Sequence, residues 1–337
     1  MAAAENLVGI FAVHQNTPNL EKQLALYGHV GFIIDEDADV EGGQSLPDSW
    51  FAARGVSRSA LNQSVAMKLP DDPFMHVWFY SWNKISSKAQ WPPVFNQIGS
   101  CCLTLLVDDA QKEIARIQRD FSSLEILQAP EVIPRKWGPT TTTLLRDPEG
   151  NFLEIISIEG SPHVEAATPP SNDRTSFLHF MVNCLNFAEM TKFYQSFGMS
   201  HDHGVDFRPE VGWPDGLEYF QNQYKQGFGA WPQWGRCDFL RGKRDPSHMH
   251  LELLESLEDL KLPGLEPTWA QRGIARYCIK VPDFEAAVRG VKQRRNKIYV
   301  ERQKGAAPSL IVPLPFTISF NQQHRTMFTD GRMPKLG

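Results

Sequence analysis

LLRDPEGNFLEIIS, running from Leu144 to Ser157, sets an acidic turn between two apolar runs. Pro148 presets φ, and Gly150 and Asn151 tolerate positive φ, so the flanks read as two antiparallel strands joined by a tight turn. One residue is left over. Glu154 follows Leu153 and precedes Ile155 and Ile156. A carboxylate there sits on a solvated sheet face or lines a cavity where its charge is used.

Outward from this hairpin, one pattern occurs four times, and such repetition takes priority over any motif. FLHFMVNCLNFAEMTKFYQSFGM, from Phe177, begins as a β-run and breaks at Asn186. It then places Phe187, Met190, Phe193 and Phe197 at helical spacing before the stop at Gly198. CCLTLLVDDAQKEIARIQ, from Cys101, ends a strand at Val107 and offers Asp109 as a helix cap, with Ile114, Ile117 and Phe121 as the buried stripe. RYCIKVPDFEAAVRGVKQ, from Arg276, repeats this with Asp283 as cap. IFAVHQNTPNLEKQLALYG, from Ile10, does so with Asn19. Further β-like runs follow the starts, among them FMHVWFYSW, TTTTLLRD, CDFLRG and HMHLELLE.

The unit is βαβββ, and a single copy leaves a sheet face that needs a partner. The expected fold is therefore α+β, four βαβββ units paired into two domains with curved mixed sheets enclosing cavities. Residues 1–160 form the first pair and 175–337 the second, separated by the linker-like Glu159–Arg174. The ending FTDGRMPKLG leaves unit four without its last strand.

Composition narrows the function. The 337 residues are 42% hydrophobic and 22% charged, as in a soluble globular protein, and are enough for two domains. A formal net charge of −5 gives no basic field, which excludes nucleic acid as the expected partner. Five cysteines without C-x-x-C spacing point to a reducing compartment rather than a disulfide framework. The apolar run near the N-terminus is too short for a signal peptide or a membrane span, so a cytoplasmic protein with no membrane partner is expected. A homodimer is the candidate assembly.

Four βαβββ units with a DPEGNFLE turn closing the second resemble the vicinal oxygen chelate superfamily, which includes glyoxalase I, bleomycin-resistance proteins and type I extradiol dioxygenases. The four-unit length is most similar to the extradiol enzymes. The resemblance implies metal ligands from a first-strand residue and from a last-strand Glu of a unit. Counting seven back from each cap gives Ala12, Cys102, His179 and Arg276, and the last-strand positions are Trp78, Glu154 and Glu252. On this reading the first domain holds a degenerate site in which Glu154 is vestigial. The second holds the metal through His179, Glu252 and His250, the last of which shares a strand face with Glu252. The donor types suit Fe(II), with Mn(II) or Zn(II) as alternatives.

The implied function is a metal-dependent, ring-cleaving dioxygenase acting on a small aromatic or enolisable molecule. Arg276 would hold substrate charge, and His201 or His203 would move protons. A polar loop in water is the other reading of that histidine pair. The insertion carrying Trp213, Tyr219, Tyr224, Phe228, Trp231 and Trp234 is either an aromatic lid over the substrate or a self-burying cover. His14 and His76 read as structural, and His324 as a further candidate ligand. Arg276 and the absent last carboxylate depart from the extradiol ligand set. That departure keeps open a non-oxidative lyase, isomerase or cyclase without metal, and a protein that sequesters an aromatic ligand.

Overall fold

The structure is a computed structural model that describes residues 8–36, 51, 56–70, 72, 74–84, 91–133, 139–159, 175–202, 234–242, 245, 247–256, 261–262, 270–281, 286, 289, 309–313 and 317–321. Unit one comprises β1 (Gly9–Thr17), α1 (Leu20–His29), β2 (Ile33–Ile34), β3 (Leu61–Lys68) and β4 (His76–Trp82). Unit two comprises β5 (Gly99–Val107), α2 (Ala110–Asp120), β6 (Ile126–Ile133), β7 (Thr140–Arg146) and β8 (Phe152–Ile158). In unit three, β9 (Thr175–Asn183) and α3 (Phe187–Gln195) precede β10 (Met199–His201), β11 (Trp234–Gly242) and β12 (His250–Ser256). Unit four contributes β13 (Gly273–Lys280), β14 (Ser309–Pro313) and β15 (Thr317–Asn321).

The helix starts follow local chemistry. Asp109 accepts from Lys112 N at 3.0 Å and Asn186 from Glu189 N at 3.0 Å, each satisfying a backbone donor that the first turn leaves open. Asn19 makes no such side-chain bond; Thr17 Oγ1 accepts from its amide instead, at 2.9 Å. The cap Asp283 of unit four lies outside the described residues.

Two open mixed sheets result. One has the order β14-β15-β13-β1-β4-β3-β2 and the other β10-β11-β12-β9-β5-β8-β7-β6. Each unit runs its first strand parallel to its last, and β1/β13 and β5/β9 join units antiparallel at the sheet centres. Two expectations are corrected here. Units pair one with four and two with three, so neither sheet is drawn from 1–160 or 175–337 alone. Unit four also has its last strand, since β15 runs parallel to β13 with Arg276 opposite Thr317 and Cys278 opposite Ser319.

Alternation along the strands sorts side chains into three clusters. Leu103, Leu105, Leu153, Ile155, Phe180 and Val182 of the eight-stranded sheet share one core with Val13, Val77, Phe79, Tyr277 and Ile279 of the other and with the inner faces of the three helices. The opposite face of the eight-stranded sheet carries Phe95, Cys102, Leu144, Phe152, Met181, Cys237, Phe239 and Leu254. That of the seven-stranded sheet carries Phe11, Ala12, Phe74, Trp78, Tyr80, Trp82 and Cys278.

The Asp147–Asn151 turn ties the sheets together. Asp147 Oδ1 accepts the amides of Glu149, Gly150 and Asn151, each at 2.9 Å, which closes the turn. Its Oδ2 accepts Asn151 Nδ2 at 2.8 Å and, from α1, Gln23 Nε2 at 3.1 Å. Glu149 accepts from Thr17 of β1 at 2.6 Å and pairs with Arg272, and Asn151 Oδ1 accepts the β13 amide of Ile274 at 3.1 Å. The turn thus belongs to one sheet by chain and to the other by hydrogen bonds. Replacing Asp147 by Ala strands four N–H donors at a buried junction, the Gly150 amide keeping its bond to the backbone carbonyl of residue 147, and should lower stability by about 3–5 kcal/mol, read as the urea midpoint at constant m-value. Asp147→Asn, which keeps one acceptor oxygen, should cost clearly less.

Candidate active site

Three titratable side chains converge on the outer face of the eight-stranded sheet. Leu153 and Ile155 enter the shared core, so the strand period turns Glu154 outward beside Phe152. Its Oε2 accepts from Thr104 of β5 and its Oε1 from Thr142 of β7, both at 2.9 Å, so the carboxylate is clamped by hydroxyls from the strands on either side. His179 lies opposite Thr104 across the central β5/β9 pair. Its Nε2 is 3.3 Å from Glu154 Oε2 and 3.2 Å from Glu252 Oε2 on β12. Cys237 Sγ donates to Glu252 Oε1 at 3.6 Å, and the Phe239 ring meets His179 edge-on at 5.5 Å.

All three are buried: Glu154 is 6%, His179 7% and Glu252 3% exposed. Two carboxylates facing one imidazole carry net negative charge even when the ring is protonated, and burial makes that charge expensive. His179 Nε2 makes no hydrogen bond with either oxygen. Among the described residues, no group of three or more His, Cys, Asp and Glu side chains is placed to hold a metal ion. The donor chemistry nevertheless fits a divalent cation. Ligands at about 2.0–2.2 Å from a metal stand about 2.8–3.6 Å apart, and both separations from His179 lie in that range. The threonine clamp is the kind of outer support that holds a ligating carboxylate.

Glu154, read from the sequence as vestigial, stands beside His179 with Glu252 because unit two pairs with unit three. Cys102, the first-strand counterpart of His179 in unit two, is buried on the same face and donates to its neighbour Leu103 O at 3.5 Å. His250 is opposite His179 in register, yet its Nε2 meets Asp202 Oδ2 at 2.6 Å and its Nδ1 meets Leu178 O at 3.1 Å. With both nitrogens engaged, it does not join the glutamates. His201 pairs with Asp238, which points opposite to its neighbours Cys237 and Phe239, so that pair lies across β11 from the cluster.

Arg276 is on the other sheet, where its Nε donates to His14 Nδ1 at 2.9 Å. His76 is tied to Asp35 at 2.9 Å and to Phe74 O at 3.1 Å. His203, Trp213, Tyr219, Tyr224, Phe228, Trp231 and His324 lie outside the described residues, as does the side chain of Trp234. Of the groups at the cluster, Thr104, Thr142 and Cys237 had not been singled out. Their signal was alternation: each shares a sheet face with a residue already named.

With the geometry in hand, comparison with known proteins places the fold. No protein-family model and no curated protein sequence matches the chain. Among solved structures, glyoxalase I from Zea mays is similar at 14% identity, with 93% of this chain and 92% of that one covered and a TM-score of 0.57. A provisionally assigned dioxygenase from Bacillus subtilis is similar at 10% identity, with 93% and 84% covered and a TM-score of 0.51. The chain shares the fold of these structures, built as two open mixed sheets with helices packed between them. No helix among the described residues is long and apolar enough to cross a membrane.

Beside the site, His248 holds a positive φ of 52° and pairs with Arg241. Burial first, then the charges of Arg241 and His250, push its pKa down to about 4. The unfolded chain takes up this proton near pH ~6.5, before the folded one does. Stability from this group is therefore lost as pH falls from there towards 4. Proton NMR should place its titration near pH 4, and His248→Asn, which tolerates positive φ, should flatten the pH dependence of the urea midpoint over that window.

Proposed function

We propose that the chain is a metal-dependent enzyme of the vicinal oxygen chelate type, acting on a small enolisable or aromatic molecule with two adjacent oxygens. The observation behind this reading is the buried His179 imidazole between the carboxylates of Glu154 and Glu252. These three would hold a divalent cation, with iron(II), manganese(II) and zinc(II) all compatible with imidazole and carboxylate donors. When bound, the cation supplies Lewis acidity to the adjacent substrate oxygens.

The remaining chemistry belongs to the chain. Glu154, clamped by Thr104 and Thr142, is assigned a fixed holding role. Glu252, held by the weaker donor Cys237, is assigned to accept a proton from the carbon beside those oxygens. Phe95, Phe152, Met181 and Phe239 exclude water and pack against the apolar part of the substrate. Proton transfer in an isomerase or lyase is the reaction this donor set supports best, because it pairs one imidazole with two carboxylates. Ring-cleaving dioxygenation is the second reading, favoured by the phenylalanines on the same face, and it calls for two histidines and one glutamate.

Elemental mass spectrometry of protein purified without chelator should find about one divalent metal per chain, lost from Glu154→Ala and from His179→Ala/Glu252→Ala. Metal retained in all variants, or bound by none after loading, would remove the proposed site. On metal-loaded protein, Glu252→Gln should slow solvent-deuterium exchange into α-hydroxyketones by about 10²-fold or more. Oxygen uptake with catechols in place of exchange would select ring cleavage.

A further inference from the structure

The Asp147 turn has a copy in unit three. RDPEGNFLE, from Arg146, and RDPSHMHLE, from Arg244, set Asp147 and Asp245 each seven residues before a glutamate of the site, Glu154 and Glu252. Both aspartates are buried. Five N–H groups reach the Asp147 carboxylate. The copy has Met249 in the place of Asn151, and the Ser247 amide alone reaches Asp245, at Oδ1 and 3.0 Å. Asp245 Oδ2 is buried with no hydrogen-bond partner among the described residues.

The copy docks on unit one. A Cβ on Gly9 of β1 would come within 2.5 Å of Asp245 Oδ2, and one on Gly242 of β11 within 1.8 Å of Val8 O. Ser247 Oγ donates to Asp72 Oδ1 at 2.8 Å, and the same oxygen accepts the amides of Phe74 and Met75 at 2.9 and 3.0 Å. One serine thus bridges two buried carboxyl groups, and a charge on Asp245 would have a single donor to offset it. Arg241, His248 and His250 flank Asp245 on its own hairpin, and Arg241 pairs with Asp202 and His248. Across the junction stand Asp72, with His76 beyond it, and Lys280, opposite Gly9 in the β1/β13 ladder. Burial first, with Asp72 adding to it, pushes the Asp245 carboxyl well above the usual carboxylate range; burial also pushes Asp72 up and Lys280 down. Opening the junction therefore releases a proton, and the stability it contributes is lost as pH rises from about 4.

We infer that this junction is a pH-sensitive latch, which holds the unit-three turn against unit one while Asp245 keeps its proton and opens when the proton leaves. It needs neither metal nor substrate. Amide hydrogen exchange of the full-length protein in excess chelator, from about pH 5 to about pH 8, tests it. Protection at Ser247, Phe74 and Met75, whose amides the two carboxyl groups hold, should fall with rising pH more steeply than in Asp245→Asn, by up to about tenfold per pH unit. The opposite slope of His248 is common to both proteins and cancels. Glu149, Gly150 and Asn151 should be protected alike in both. Carbon-13 NMR of the aspartate carboxyl groups should show Asp245 still protonated at about pH 6 in the unaltered protein, a readout that survives if Asp245→Asn fails to fold. Equal pH slopes in the two proteins, the same difference at Glu149–Asn151, or an Asp245 carboxyl already ionised at that pH against Arg241 or Lys280 would each overturn the inference.

Discussion

A shared apolar core does not by itself fix how two sheets sit against each other, because dispersion and burial are nearly non-directional. Direction comes from the Asp147–Asn151 turn. Its backbone continues β7 into β8, while its carboxylates and amide bond to β1, α1 and the start of β13. Gly150, at φ 101°, allows the turn to close, and Gly273, at φ 80°, stands where a Cβ would come within 2.1 Å of the Trp91 ring. Three residues after the turn ends, the same chain delivers Glu154 to the cluster. Docking of the sheets and placement of one donor are therefore properties of a single short hairpin.

The pairing of units decides what chemistry each outer face can have. Had units joined in chain order, Glu154 would face Ala12 and Trp78, while His179 and Glu252 would share a sheet with Arg276. No face would then gather three donors for a cation. Pairing two with three brings both glutamates to one imidazole, and pairing one with four sets Arg276 beside His14. The antiparallel contacts of β5 with β9 and of β1 with β13 place the first strands of paired units at the sheet centres. Residues on those strands become neighbours even where the chain separates them by hundreds of positions, as with His14 and Cys278.

Periodicity made much of the fold legible. The strand runs, the caps Asp109 and Asn186 and the apolar stripes of the helices are local, and local chemistry determines them. Unit pairing is not local. It depends on which sheet edges and turn side chains complement one another, and Gln15, Thr17 and Gln23 look like ordinary polar residues until Asn151, Glu149 and Asp147 are set against them. The site was legible to the same degree. His179 and Glu252 lie within one unit, so spacing could associate them, whereas Glu154 needed the correct partner unit. The pull of Asp202 on His250 and of Asp238 on His201 was equally hidden, because a histidine on a strand reads the same whether or not a carboxylate waits beside it.

The contrast between the two outer faces follows from electrostatics as much as from ancestry. Burying two carboxylates against one imidazole leaves negative charge that a low-dielectric sheet face tolerates poorly, and a bound cation offsets it directly. On the other face the buried charge is positive and fixed, since a guanidinium does not give up its proton at any ordinary pH. The Tyr80 ring beneath it can solvate a cation through its π face in a way that aliphatic side chains cannot. This accounts for Tyr80, two residues beyond Trp78, which takes the position of the glutamates in units two and three. One architecture, used twice, thus gathers two carboxylates and an imidazole on one face and a guanidinium beside aromatic rings on the other, with an indole standing at the position where the other face carries its carboxylates.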